Sequence, residues 1–249
     1  MAQPPQPELA SQRHVALVFG ASRGIGAACA TELARVGLVV HGTWRTEGPN
    51  AAALRARLPG RAHACDLGRP TQVEAVVEHV AALEGRLDVV VVAAGDYLSG
   101  SLASHTSMQI GAQLEAQVVG PARVFEAARP HLRASRGAAV LFGVAGLEGL
   151  RGRRNSAAYC AAKSALLVLV RSWALEEARH GVRVNMVSPG VVPHEHADRE
   201  TLDPAVQAKV PLEGATTPAD LANAVRWLCS TDARHITGVD LPVAGGFQL

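Results

Sequence analysis

Three glycines, in the order Gly20-Ala-Ser-Arg-Gly-Ile-Gly26, stand between a five-residue apolar run, Val15-Ala-Leu-Val-Phe19, and an amphipathic stretch over 25–36. Glycines at a strand-to-helix junction permit a turn too tight for side chains, and they open the N–H groups of the helix N-terminus to an anion. This junction is the first of a series. Apolar runs of strand length recur at 38–42, 61–64, 87–92, 138–142, 182–187 and 239–243. Amphipathic stretches separate them at 50–58, 71–84, 108–133 (interrupted or shifted near Gly120-Pro121), 159–179 and 218–229. Such alternation implies parallel strands joined by crossover helices, with both faces of the sheet covered. The sequence therefore predicts an α/β fold with a doubly wound parallel sheet, in one domain over 13–249. Within it, 191–217 is expected to be an irregular or helical insertion.

A chain of 249 residues, 48% of them hydrophobic, has enough apolar mass for a sheet buried on both sides. Its net charge of +2 comes from basic residues dispersed among acidic ones, without the stripe that tracks nucleic-acid phosphates. Nucleic acid is excluded as a partner on that ground. Cys29, Cys65, Cys160 and Cys229 lie far apart and form no CxxC pair, which argues against zinc or a disulfide framework and for reduced thiols in a cytoplasm. Residues 1–12 are proline-rich, with neither a basic start nor an apolar h-region, and are expected to form a disordered tail. No apolar run is expected to reach membrane-spanning length, so no membrane partner is expected.

The glycine turn, with Ser22, Arg23 and Ile25 between its glycines, suits a pyrophosphate. In dinucleotide folds a carboxylate about 20 positions further on binds the ribose 2′-hydroxyl, whereas arginine accommodates a 2′-phosphate. Here the second strand runs into Thr43-Trp44-Arg45, with no carboxylate before Glu47. Arg45, with Arg23, argues for NADP(H) over NAD(H).

Further along lies Tyr159-Cys-Ala-Ala-Lys163. A Tyr and a Lys four apart share one helix face, where an ammonium beside a phenol favours its ionised form. The pair is thus a candidate proton donor and its tuning partner, with Lys163 expected to lower the Tyr159 pKa.

The glycine turn, Ala93-Ala94-Gly95 after a buried strand, the Tyr159/Lys163 pair and Val184-Asn-Met-Val-Ser-Pro-Gly190 together resemble the short-chain dehydrogenase/reductase family, and within it the 3-oxoacyl-carrier-protein reductase type. The resemblance runs from about residue 15 to the C-terminus. It implies a Rossmann-type sheet of seven parallel strands with three helices on each face, assembled as a homodimer or homotetramer. It also implies that Asp66 and Leu67 lie by the adenine, that Pro189, Gly190 and Val192 lie by the nicotinamide, that Tyr159 is the acid, and that Lys163 binds the nicotinamide ribose. Four positions depart from the family pattern. Gly143 stands where a serine hydroxyl is usual, and Gln117 stands for the asparagine that holds a water in the proton relay. Val92-Ala-Ala-Gly95 replaces Asn-Asn-Ala-Gly, and His194 replaces a threonine after Pro-Gly. The loop between Gly146 and Tyr159 is longer than usual and carries Arg151, Arg153 and Arg154, and Ser156 within it is a candidate replacement hydroxyl or a helix cap.

Losing one oxyanion donor costs about 10²–10³ in rate, which weakens carbonyl reduction and makes an activated C=C or C=N bond an alternative target. Gly143, Val144, His194, Asp96 and Tyr97 are the candidate substrate contacts, and the substrate is a small molecule or an acyl-carrier-bound intermediate. No metal is expected, because His194 and His196 lack a third ligand. Two rival readings stay open: a catalytically degenerate subunit supporting an active partner in a hetero-oligomer, and a redox-neutral enzyme reusing the fold.

Overall fold

Valine- and alanine-rich runs with no polar face become the inner strands of one parallel sheet. In a computed structural model describing residues 13–149, 152–192, 208–212 and 214–247, strands β1 (Val15–Phe19), β4 (Val89–Val92) and β5 (Ala138–Phe142) are buried at every residue. They are flanked by β2 (Val39–Trp44) and β3 (Ala62–Ala64) on one side and by β6 (Arg183–Pro189) and β7 (Asp240–Val243) on the other. The order is β3-β2-β1-β4-β5-β6-β7 and every pairing is parallel. The chain winds outward from β1 in one direction and then from β4 in the other, so the switch point where open sheets bind ligands lies between β1 and β4.

Helices α1 (Gly24–Arg35), α2 (Pro49–Arg57) and α7 (Pro218–Cys229) pack Cys29, Leu33, Leu54, Leu221 and Val225 onto one face. The other face is covered by α3 (Pro70–Glu84), α5 (Gly120–Ser135) and α6 (Ala157–Glu177), through Val73, Val77, Phe125, Leu132, Leu166 and Val170. The Rossmann-type, seven-stranded, doubly wound sheet read from the sequence is the fold observed. The tail 1–12, His194 and most of the insertion 191–217 lie outside the described residues.

Two expectations change in detail. The single helix over 108–133 is in fact α4 (Ser107–Leu114), a π-helical turn at Glu115–Val119, and α5. Pro121 offers no N–H and crowds the preceding turn, and the Gly120 N–H bonds the Glu115 carbonyl five residues back, which widens the helix locally. The second change concerns apolar length. The stretch Ala157–His180 does have the length and mean hydropathy of a spanning helix. Its inward face, however, lies in the core and carries buried Lys163 and Glu177, the latter paired with Arg133.

The carboxyl ends of the strands place the singled-out residues along one edge. The glycine turn follows β1, Arg45 follows β2, Asp66 follows β3, residues 93–97 follow β4, Gly143 and Val144 follow β5, and Gly190 follows β6.

Candidate dinucleotide and proton-transfer site

Gly20 and Gly24 have φ of +80° and +53°, in the region that side chains rarely enter. A side chain at Gly20 would meet the Ala94 nitrogen at 2.9 Å, and one at Gly26 would run into the Gly20 carbonyl. At Gly24 nothing lies within 4 Å, so the turn is pressed against the exit of β4 on one side and open on the other. Thr43, which sequence reasoning passed over, pins it: its hydroxyl accepts from Gly20 N–H at 3.1 Å and its carbonyl from Ala21 N–H at 2.9 Å. The Arg23 side chain does not cap α1, leaving the first-turn N–H groups without a side-chain acceptor. An uncapped helix start behind a cradle that any Cβ would fill fits a dinucleotide pyrophosphate.

Around this cradle the other candidates fall into place. Arg45 leaves the end of β2 and forms a two-pronged ion pair with Asp96, at 2.7 and 3.2 Å, both side chains being 56% exposed. Asp66 folds into its own turn, with its Oδ1 accepting from Gly68 N–H at 3.0 Å and its N–H donating to Gln72. The carbonyl of the partly buried Leu67 accepts from Arg123. At the end of β6, a side chain on Gly190 would lie 2.9 Å from the Ala244 Cα, and Val192 is buried just beyond.

Tyr159 sits in the first turn of α6 and Lys163 one turn on. The Lys163 Nζ lies 5.6 Å from the centre of the Tyr159 ring and donates to the Phe142 carbonyl at 2.6 Å. Burial pushes Lys163 down to about 7. Burial also pushes Tyr159 well above the usual phenol range, with Cys160 and Tyr97 adding to the effect. This reverses the expected direction for Tyr159: Lys163 faces the ring, and desolvation decides both groups. The phenol therefore keeps its proton, while the lysine exchanges its own near neutrality.

Gln117 falls in the π-helical turn, 1% exposed. Its Nε2 donates to the Asp96 carbonyl at 2.6 Å, and Gln113, one turn earlier, donates to the same oxygen at 3.2 Å. Both Oε1 atoms are buried without a partner. The amide expected in a water relay to the lysine is thus joined to the segment after β4. Gln113 was missed, although its spacing of four from Gln117 was the available signal. Tyr97 sets its ring edge-on to Tyr159, with centres 4.9 Å apart.

A serine at Gly143 would have to displace its neighbours. A Cβ there would collide with the Ser188 Oγ and lie 2.6 Å from the Met186 sulfur. Ser188 is fully buried and donates to the Asp240 carboxylate at 2.5 Å. Val144 beside it is partly buried. Ser156 neither caps α6 with its side chain nor reaches Tyr159, its hydroxyl lying 3.5 Å from the Cys160 sulfur. Arg153 turns inward to the Ala145 and Gly146 carbonyls. Among the described residues no His, Cys, Asp and Glu gather as metal ligands.

The fold and this edge have relatives. The family model described as enoyl-(acyl carrier protein) reductase matches residues 20–248. The meso-2,3-butanediol dehydrogenase of Serratia marcescens is 33% identical over 245 residues, covering 93% of each chain. The 3-oxoacyl-[acyl-carrier-protein] reductase of Homo sapiens is 32% identical over 236 residues, covering 94% of this chain and 98% of that one. Among solved structures, a blue fluorescent protein from a metagenomic library, in complex with NADPH, superposes with a TM-score of 0.85 at 31% identity, covering 95% of this chain and 98% of the other. On fold, on matched length and on identity, the chain belongs to the short-chain dehydrogenase/reductase family and is an oxidoreductase of that kind.

Proposed function

We propose that this protein is an NADP(H)-dependent reductase acting on a carbonyl or an activated C=C or C=N bond of a small or carrier-bound biosynthetic intermediate. The observation that carries the reading is the single edge on which an uncapped glycine turn, an exposed Arg45, the partly buried Tyr159 and the buried Lys163 all lie. Gly20, Ser22, Arg23, Gly24, Ile25 and Gly26 would hold the pyrophosphate, with Arg45 at the 2′-phosphate and Asp66, Leu67, Ala93, Ala94, Gly95, Pro189, Gly190 and Val192 along the remainder. The NADPH in the structural relative supports the same cofactor here. When bound, the nicotinamide supplies the hydride.

The chain's own residues handle the proton. Tyr159, held protonated by burial, donates from its hydroxyl as charge develops on the substrate, a contribution of about 10²–10⁴ in rate. Lys163, near 7, is placed to take up and return protons from behind the ring. Gln117 fixes the Asp96 carbonyl rather than Lys163. With no hydroxyl at Gly143 and the Ser188 and Met186 side chains in the place one would take, Tyr159 is the remaining side-chain donor we assign to the substrate, which favours bonds whose reduction puts less charge on oxygen. The same filled space favours the second reading, a degenerate subunit supporting an active partner. Exposed Met108, Leu114, Val119, Val168 and Leu175 on α4, the π turn and α6 support assembly as a homodimer or homotetramer. Four unpaired thiols support a cytoplasmic location.

The test is titration of the protein with NADPH and NADH, followed by NADPH oxidation against ketones, enones and imines, for the wild type and Tyr159→Phe. Tyr159→Phe is expected to bind NADPH as the wild type does and to lose at least a hundredfold in turnover. Undiminished turnover would remove Tyr159 from the mechanism. Tight binding with no turnover on any bond class would leave the degenerate subunit.

A further inference from the structure

Asp96 is the residue that the proposed reading least explains. It follows β4, while Arg45 follows β2, and in the sheet these strands lie on either side of β1, whose exit is the glycine turn. The ion pair therefore joins the two walls of the groove on either side of the cradle. Its geometry is a fork, with two guanidinium nitrogens on the two oxygens of one carboxylate at 2.7 and 3.2 Å. That fork is the arrangement a phosphate also demands of arginine.

Three contacts hold Asp96 where it is. Its carboxylate is on Arg45, and its carbonyl takes hydrogen bonds from both Gln113 and Gln117, which are buried in α4 and the π turn. The next residue, Tyr97, rests edge-on against Tyr159. The backbone from which the carboxylate projects is thus held beside Arg45 by two buried amides.

Resting on the reading of Arg45 as the 2′-phosphate ligand, we propose that Asp96 is a built-in competitor for that phosphate. In the free protein it occupies the guanidinium fork, and in the bound state it stands beside the phosphate as a like charge. It thereby sets how tightly the protein takes a 2′-phosphorylated dinucleotide, and leaves one without the phosphate untouched. An exposed ion pair of this kind is weak and screened by salt, and the retained negative charge adds to the competition. Removal of the carboxylate is thus expected to tighten 2′-phosphate binding about three- to tenfold at low salt, with a smaller effect as salt screens the pair.

The experiment uses the full chain and four probes: NADPH, NADH, and the fragments 2′,5′-ADP and 5′-ADP, which read the adenosine end without any contribution from turnover. Asp96→Asn should tighten 2′,5′-ADP and NADPH about three- to tenfold and leave 5′-ADP and NADH within about twofold. Asp96→Ser, which keeps the carbonyl that the glutamines hold, should move the same way. Arg45→Ala should abolish the preference for the 2′-phosphorylated member of each pair. If Arg45→Ala abolishes that preference while both Asp96 variants leave 2′,5′-ADP binding unchanged or weakened, the competitor is overturned and the cofactor reading stands. If Arg45→Ala leaves the preference intact, both fall.

Discussion

The two ends of the candidate groove are built on opposite principles. At the glycine turn the fit is made mostly by backbone: Gly20 and Ala21 bond Thr43, Gly20 lies against Ala94, and Gly26 sits under the Gly20 carbonyl, with no space left for a side chain at Gly20 or Gly26. At the Tyr159 end the fit is made by polar side chains held away from water with few partners. Lys163 has the Phe142 carbonyl, while Gln113 and Gln117 each bury an oxygen that nothing meets. The first arrangement has its close contacts already made by backbone and Thr43. The second keeps groups in unfavourable protonation or hydrogen-bonding states until something completes them, as is common where ligands bind.

Substitutions should separate the two ends, the largest effect coming where backbone meets backbone. Gly26→Ala sets a methyl against the Gly20 carbonyl, which no rotamer relieves. A loss of about 2–3 kcal/mol is expected, seen as a melting temperature lower by about 6–10 °C in the absence of nucleotide. A shift under about 2 °C would mean that the turn is not packed as described. Gly143→Ser is the counterpart at the reacting end, where the new Cβ meets side-chain atoms, the Ser188 hydroxyl and the Met186 sulfur. Those can move, so a smaller cost of about 1–2 kcal/mol is expected. Much of it should return in the double variant Gly143→Ser/Ser188→Ala, and a double-mutant cycle checks this. If the single variant is as stable as the wild type and simple ketones become good substrates, the space at Gly143 is not closed and the serine was merely absent.

The contrast also explains what could be read from residues alone. The glycine turn was legible because its requirement is steric and local: only glycine tolerates those angles and that approach. The inner strands were legible because β1, β4 and β5, buried at every residue, are runs of apolar residues alone. The reacting end was not. The Tyr159/Lys163 spacing put both on one face of a helix, but whether the ammonium lies at the hydroxyl or under the ring is fixed by tertiary packing, and with it the direction in which each group titrates. Gln117 has the length to reach the segment after β4, and its attachment to Asp96 depends on the π-helical turn, whose only trace in the sequence is Gly120-Pro121. The pairing of Arg45 with Asp96 joins residues 51 apart, beyond the ends of separate strands, and nothing local to either announces it.

The finest test of the contrast is the pH dependence of stability contributed by Lys163. Burial lowers its folded value to about 7 from an unfolded value of 10.5. Between these the unfolded chain holds a proton that the folded protein has released, so raising the pH through this window favours folding; below about 7 both states are protonated and the effect is absent. Lys163→Met removes this contribution and nearly preserves the side-chain volume. At pH 6.5 the methionine variant should have its greatest stability relative to wild type, and that advantage should shrink steadily up to pH 9.5. The trend is read as the difference in melting temperature between the two proteins. Cys65 and Cys229, which burial pushes up to about 11 and about 12, oppose the trend in each protein as their unfolded forms ionise, and they cancel in the difference. A difference that stays flat with pH would mean that Lys163 titrates as an ordinary lysine. The reacting end would then be as relaxed as the glycine turn, and the distinction between them would rest on sterics alone.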